Sequence, residues 1–454
     1  MTDVPPHQPL RPLQRVLGLI FGLAVVVGGV IGSGIMRAPG VVAMGLTSQP
    51  LILLAWLAGG GVAMLSAMPL VEAGSSVPRA GGTFPIAERA FGPTVGFFTG
   101  WLSWLQYAAS NAFISVVFGE YVHRLGLAGG LSTGALACGL ILAVAAINWL
   151  GTRISGASQG VASALKGAAF LVLVVVLFAS PHAPPAPAIH PALAGAAGFA
   201  AVIMAIRVIY QTYAGWDAAI YFSEEVHRPD RNVARATFWG IGLVTVLYVL
   251  VNAAVLHVLT PGAIAGSALA VGDAAKVSLG SLGNTVITAI GVLSLAAIVN
   301  LQIMAAPRIT WRMARDGVLP PILGRVAANG TPRQSVVFLV AASLAFAATG
   351  TYESLVRIYS PWSMGAIIIV CLSAIKLRIS EPDLPRPWKM PLFPWIAIGA
   401  VLVQGSLIAV LAWDDPVAGL WSTLVALAPL PLYFMFAKTW RRQAQAIAGT
   451  APAP

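Results

Sequence analysis

Charged side chains are scarce in this chain of 454 residues. Asp, Glu, Lys and Arg together make up 9% of it, whereas hydrophobic residues make up 58%. An ordinary soluble domain carries roughly 25% charged residues, so this sequence cannot cover a water-facing surface. Apolar runs of about 20 residues, the length that crosses a bilayer, recur from end to end. The composition excludes a soluble globular protein and predicts an all-α integral membrane protein.

Cysteine is nearly absent, since the chain holds only Cys138 and Cys371. Both fall inside apolar runs, which favours small core residues over disulfide partners or metal ligands. No metal-ligand cluster and no soluble domain is visible in the sequence. We therefore expect no metal site and no cofactor.

The apolar runs predict about twelve membrane spans. The first is too long and too poor in leucine for a secretory signal, so we expect it to be a helix of the mature protein. The predicted spans are 16–44, 50–74, 92–123, 133–150, 158–181, 195–224, 236–260, 284–312, 334–350, 355–378, 393–413 and 418–438.

The positions of the basic residues explain the net charge of +11. If the N-terminus is cytoplasmic, 20 of the 26 Lys and Arg residues fall on cytoplasmic segments and 3 on external ones. This distribution is the positive-inside bias of membrane proteins, so the excess charge does not indicate a nucleic-acid partner. We expect a multi-pass protein of the cell (inner) membrane, surrounded by lipid, with both termini in the cytoplasm.

Two predicted spans contain helix-weakening residues near their centres. Residues 25–37 read VVVGGVIGSGIMR, with four glycines, and residues 210–225 read YQTYAGWDAAIYFSEE, with an Ala-Gly pair. A glycine in a helix interior costs about 1 kcal/mol relative to alanine. Close helix packing is an alternative reason for each cluster taken alone. Two clusters at corresponding positions, each beside polar groups, instead predict that spans one and six are broken inside the membrane.

The spacing of the two breaks indicates an internal repeat. Each unit holds five spans, an odd number, so the second unit enters the membrane from the opposite side, as in inverted-topology repeats. We expect a first five-helix repeat over 16–181, a second, inverted one over 195–378, and two extra helices over 393–438. Residues 1–15 and 439–454 are then cytoplasmic tails.

Broken helices offer backbone groups to a ligand. Unwinding of residues 31–35 frees N–H groups at the start of the outer half-helix, where a carboxylate is favoured, and Ser33 adds a hydroxyl. Unwinding of residues 213–216 frees carbonyl groups that suit an ammonium group. A ligand with both groups on one carbon is an α-amino acid, and it needs no buried side-chain charge.

The same stretches resemble a known family. The chain is similar to bacterial members of the L-type amino acid transporter group, within the amino acid–polyamine–organocation (APC) superfamily. The matching motifs are IGSGI in span one, YAGWDAAIYFSEEVHRPDRNVARA after the sixth break, PRAGGTFPIAERAFGPTVGFFTGW, NWLGTRISGASQGVASALK and MAAPRITWRMARDGVLP. They follow each other through spans one to eight, and later spans match only in hydropathy. The resemblance implies a LeuT-type 5+5 inverted-repeat fold.

The resemblance also implies roles for single residues. Ser33, Gly34 and Ile35 correspond to carboxylate-binding positions. The family's amine-binding carbonyls correspond to those of Ile31, Tyr213 and Ala214. Trp216, after Gly215 in the break, corresponds to a residue that lines or closes the pocket. Gln211 stands where the family has a bulky aromatic gate, a departure that affects the gate and the substrate size.

Lys166 lies inside the fifth span, where a lysine costs a few kcal/mol unless it is paired or deprotonated. One interpretation is a packing lysine bonded to helix carbonyls. The resemblance implies another, in which the ammonium group replaces a sodium ion between spans one and eight. Lys166 would then contact carbonyls near Gly28 or Gly29, and Ser294. Whether it also carries a proton stays open.

Two further features concern gating and partners. Glu224 and Glu225 follow the sixth span and are either an inner gate, paired with Arg153 or Arg79, or a solvated loop face. The mammalian relatives of this group join a glycoprotein through a cysteine in the loop after span three. The corresponding loop here, HRLGLAGGLSTGA, has none, so we expect no disulfide-linked glycoprotein partner.

These observations together predict a sodium-independent secondary transporter of amino acids. Small or medium neutral L-amino acids are the expected substrates, carried by alternating access as an exchanger or a proton-linked carrier. The alternative is a transporter of another small amine or polyamine. A channel is a remote alternative because no filter-like repeat is seen. A membrane enzyme is equally remote because Ile31 replaces the first glycine of a G-x-S-G nucleophile motif, so we expect no catalytic residue.

Overall fold

The computed structural model describes residues 18–32, 34–182, 202, 205–206, 208–267, 269–349 and 352–449. Within these ranges the chain forms α-helices and short 3-10 helices, and no β-strand. Ser33, the predicted tail over 1–15 and the predicted start of the second repeat at 195 lie outside the described residues.

The α-helices are numbered in chain order. They are α1 Leu19–Val30, α2 Gly34–Gly45, α3 Gln49–Ser76, α4 Thr83–Phe91, α5 Pro93–Arg124, α6 Thr133–Trp149, α7 Thr152–Phe178, α8 Pro229–Val258, α9 Pro261–Ile264, α10 Ala270–Leu279, α11 Ser281–Arg315, α12 Arg333–Thr349, α13 Tyr352–Ser380, α14 Trp395–Asp414, α15 Pro416–Leu427 and α16 Leu430–Gly449. Two 3-10 helices span Trp216–Phe222 and Pro321–Gly324, and residues 208–212 are also helical.

Several of these helices are long and apolar enough to cross a membrane. Among the described residues there are 7 such spans, or 8 if α1 and α2 form one bent span. The chain is therefore a multi-span membrane protein. The other predicted spans fall on α5, α6, α12 and the region before residue 213. Of these, α6 and α12 have only 17 residues each, and α5 carries polar side chains toward the interior.

Part of the predicted C-terminal tail is helical. The expected tail over 439–454 is helical up to Gly449, because α16 continues through it. The sequence RRQAQAIA in this stretch consists of residues with high helix propensity, so the helix has no reason to stop at residue 438.

Helix α5 lies at the centre of the bundle, where it packs against α6, α11, α12 and α13. Helix α1 packs against α7 and α8. Small residues allow the close approach of α1 and α8: a Cβ added to Gly22 would lie 2.8 Å from the Cβ of Ala236, and one added to Gly240 would lie 2.5 Å from Val26. The packing role considered for glycines of the first span thus applies to its first half.

Candidate functional site

The first span is interrupted where its glycines cluster. Helix α1 ends at Val30 and α2 begins at Gly34, and the two helices are bent by 46°. The amide of Ile31 still donates to the carbonyl of Val27 at 3.0 Å. Since the first N–H groups of a helix have no acceptor within it, the start of α2 presents free donors at the break.

A second interruption follows residues 208–212. The chain turns through Tyr213 and Ala214 to Gly215, whose φ of +104° lies in the left-handed region. A 3-10 helix then runs over Trp216–Phe222. Glycine adopts this backbone conformation without the strain that a side chain would bring, so the Ala-Gly pair marks the position of the turn.

The two interruptions touch each other. A Cβ added to Gly34 would lie 2.9 Å from Cγ2 of Thr212, so the start of α2 packs directly on the end of the sixth-span helix. The hydroxyl of Tyr248, in α8, lies 2.8 Å from the carbonyl oxygen of Val30 and 3.2 Å from that of Thr212. Tyr248 therefore links the last carbonyls of both broken helices. Its sequence neighbourhood is apolar and gives no sign of this role.

A cavity of about 430 Å³ opens beside the breaks. Six of the predicted site residues line it: Gly29, Gly34, Gln211, Ala214, Gly215 and Trp216. The predicted residues Gly28, Ile31, Ile35, Lys166, Tyr213 and Ser294 do not line it. Tyr213 is fully buried and its hydroxyl donates to the carbonyl of Trp56 at 3.2 Å.

Four polar side chains also line the cavity. Gln302 in α11 donates from Nε2 to the hydroxyl of Ser110 in α5 at 2.8 Å. The hydroxyl of Tyr221 donates to the Asp217 carboxylate at 3.2 Å. All four residues line the cavity. Sequence reasoning missed Ser110 and Gln302, although a glutamine within the apolar α11 is an available signal.

Lys166 does not line the cavity but contacts the first break. Its side chain is fully buried, and Nζ donates to the carbonyl oxygens of Gly28 and Ile31, each at 2.6 Å. The Ser294 hydroxyl donates to the same Ile31 oxygen at 3.2 Å. The ammonium group thus links α7 to the end of α1, and Ser294 brings α11 to the same point.

Two ion pairs follow the 3-10 helix that carries Tyr221. Glu225 pairs with Arg308, and the two side chains are almost fully buried. Glu224 pairs with Arg312 at 2.9 Å. The expected partners Arg153 and Arg79 are therefore wrong, because α11 supplies the arginines, and neither the start of α7 nor the loop before α4 does so.

A carboxylate pair lies beside Arg312. Helix α4, which is not one of the apolar spans, brings Glu88 close to Asp316, and Asp316 itself pairs with Arg312 at 2.8 Å. Burial, and then the charge of Asp316, raise the pKa of Glu88 to about 7, against the opposing effect of Arg312 and Arg79.

The residues that line the cavity differ in exposure. Val41, Gln211 and Ala214 are exposed lining residues, whereas Thr83, Ser103 and Tyr221 are buried lining residues. The exposed lining residues belong to α2 and the second break, and the buried ones to α4, α5 and the 3-10 helix.

Comparison with known proteins covers nearly the whole chain. The amino acid permease family model matches residues 17–436. The b(0,+)-type amino acid transporter 1 of Mus musculus is 29% identical over 442 residues, which cover 93% of this chain and 88% of that protein. The serine/threonine exchanger SteT of Bacillus subtilis (strain 168) is 27% identical over 440 residues, 94% of this chain and 98% of that protein. The large neutral amino acids transporter small subunit 2 of Homo sapiens is 27% identical over 449 residues, 93% of this chain and 80% of that protein.

Proposed function

Because the chain belongs to the amino acid permease family, we propose that it is a sodium-independent secondary transporter of small or medium neutral L-amino acids. The family confirms the resemblance to the APC superfamily, and it excludes an enzyme as the alternative. The observation that best supports this substrate class and mechanism is the contact between two broken helices at the wall of one cavity. We assign the chain a LeuT-type topology of twelve spans, with repeats over 16–181 and 195–378.

The breaks supply complementary partners for a zwitterion. In this proposal the substrate carboxylate binds the N–H groups of Gly34 and Ile35, at the positive end of α2, and the Ser33 hydroxyl. The ammonium group binds the carbonyls of Tyr213 and Ala214. The Ile31 oxygen already accepts from Lys166 and Ser294, so it reaches the amine only when one of these donors moves away.

Transport in this proposal requires that the open end of the cavity closes and that the other end opens. In this proposal the structure is a state open beside α2, which is the external side if both termini are cytoplasmic. To release substrate to the cytoplasm, the pairs Glu225–Arg308 and Glu224–Arg312 must separate. The proposed location is the cell (inner) membrane, and a disulfide-linked partner is not expected.

Uptake into proteoliposomes tests this function. Labelled serine and threonine are the first probes, since the B. subtilis relative is a serine/threonine exchanger and Ser110 and Gln302 offer hydrogen bonds in the cavity. We expect saturable uptake that unlabelled amino acid inside the vesicles stimulates and that replacement of sodium by choline leaves unchanged. Amino acid amides, which lack the carboxylate charge, should compete poorly. Non-saturable flux without counter-substrate stimulation would indicate a channel.

One observation favours a second candidate substrate class. Asp217 places a carboxylate on the cavity wall, where it suits a substrate with an additional amine, such as ornithine or putrescine. Competition with labelled serine by these amines, in the wild type and in Asp217→Asn, separates the candidates. If the amines inhibit serine uptake by the wild type but not by Asp217→Asn, the result supports an amine transporter. If the amines do not inhibit the wild type, neutral amino acids remain the proposed substrates.

A further inference from the structure

A second cleft lies between α6 and α12, on the outside of the helix bundle. Its volume is about 680 Å³, and its lining residues within the described part of the chain are alanine, valine, leucine and tryptophan. Trp149, Leu150 and Val337 are 40%, 61% and 54% exposed. In a multi-span membrane protein an apolar cleft of this kind faces acyl chains rather than water.

A basic rim borders one end of this cleft. Arg333, the first residue of α12, places its guanidinium carbon 4.8 Å from the centroid of the Trp149 ring. Its Nε atom is buried and has no hydrogen-bond acceptor in the described part of the chain. The amide of Asn329 donates to the Trp149 carbonyl at 2.8 Å, so the loop before α12 is fixed against the end of α6.

The sequence segments around Arg333 and the end of α6 carry charge of a single sign. Residues 145–155 and 325–345 contain Arg153, Arg325 and Arg333, and neither stretch contains Asp or Glu. Among the ion pairs between described residues, none includes these three arginines. A ligand for this place therefore has a long apolar part and an anionic head.

We propose that the α6–α12 cleft binds an anionic phospholipid, with an acyl chain between the helices and the phosphate at Arg333. A guanidinium group matches a phosphate with two parallel hydrogen bonds. A tryptophan at a helix end is typical of the level of the lipid headgroups, and basic pockets between membrane helices bind anionic headgroups. A helix from a partner protein fits the apolar walls equally well but leaves the arginine rim without a counter-charge.

Native mass spectrometry of the full chain, titrated with dioleoyl phosphatidylglycerol or dioleoyl phosphatidylcholine, tests this site. We expect preferential retention of phosphatidylglycerol by the wild type. Arg333→Gln removes the charge, and Ala341→Trp fills the exposed cleft without touching the rim. Each should lower the bound fraction of phosphatidylglycerol at least fivefold. Arg231→Gln is the matched control, because Arg231 is an exposed arginine at the start of α8, outside the cleft.

A second readout locates the lipid. The emission of Trp149 is the part of the tryptophan fluorescence that is absent in Trp149→Phe. Brominated phosphatidylglycerol in the vesicles should quench this emission more strongly than brominated phosphatidylcholine. The proposal would be overturned by equal retention of the two lipids or by unchanged retention in Arg333→Gln and Ala341→Trp. Equal quenching of Trp149 by the two brominated lipids would also overturn it. Thermal unfolding of each variant verifies that a loss of lipid does not come from a loss of fold.

Discussion

Gly29 and Gly215 meet backbone to backbone where the two broken helices cross. A Cβ added to Gly29 would lie 3.2 Å from the carbonyl oxygen of Gly215, and one added to Gly215 would lie 2.9 Å from that of Gly29. Both residues also line the cavity. The separation of the helices, and with it the shape of the proposed amino acid site, thus depends on the absence of two side chains.

We expect Gly215→Ala to lower uptake at least tenfold while the protein still inserts. Its methyl group would overlap the backbone of Gly29, and its positive φ adds strain of about 1 kcal/mol or more. Uptake per amount of inserted protein is the measurement. Gly242→Ala is the control, since a Cβ there meets nothing within 4 Å. Wild-type uptake by Gly215→Ala would show that the contact is not needed for transport.

The sequence predicts the position of both breaks because glycine clusters are unusual inside apolar helices. It does not predict that Gly29 meets Gly215, or that Tyr248 reaches Val30 and Thr212. These contacts join residues that are far apart along the chain, and an apolar stretch gives no indication of which neighbour its tyrosine faces. The partners of Glu224 and Glu225 are mispredicted for the same reason, since pairing is decided by how α11 packs.

Gln211 is an exposed residue of the cavity lining. We expect Gln211→Phe to change the ranking of substrates, because a bulky ring there narrows the opening and replaces an amide with an apolar face. Competition by a panel from glycine to tryptophan measures the ranking. Gln443→Phe, at an exposed position of α16, controls for the added ring. An unchanged ranking would mean that position 211 does not contact substrates.

The fold should lose stability as Glu88 ionises beside Asp316. Burial and Asp316 raise the pKa of Glu88 from 4.5 to about 7. Folding therefore favours the protonated acid, and its stabilising effect, present below about pH 4.5, is lost as pH rises through about 7. One pKa unit corresponds to about 1.4 kcal/mol. Since solvent screens this half-buried pair, we expect an effect of about 1–2 kcal/mol.

Thermal unfolding in detergent at about pH 5 and about pH 8 measures this effect. Glu88→Gln, which stays neutral, should lose less stability than the wild type over that range. Asp383→Asn removes an exposed carboxylate and should behave like the wild type. Equal pH dependence in the wild type and Glu88→Gln would contradict the assignment.

Lys166 stabilises the first break through two hydrogen bonds. Its ammonium group bonds the oxygens of Gly28 and Ile31, and Ser294 shares the second of these. Lys166→Ala leaves two buried carbonyls without their cation, and an unpaired buried polar group costs about 1–3 kcal/mol. We expect transport to fall sharply. The helices should still insert, because each satisfies its own backbone hydrogen bonds.

The same variant separates the two roles of this lysine. A fixed ammonium in place of sodium predicts sodium-independent uptake by the wild type, no response to an imposed pH gradient, and loss of activity in Lys166→Ala. A proton carrier predicts that the gradient drives uptake in the wild type and not in the variant. Ser294→Ala removes only the neutral donor to Ile31 and should retain more activity, and Lys276→Ala controls for loss of an exposed lysine. Strict sodium dependence of the wild type would rule out the cation-substitute role, and full activity of Lys166→Ala would rule out both roles, because transport would then not need this side chain.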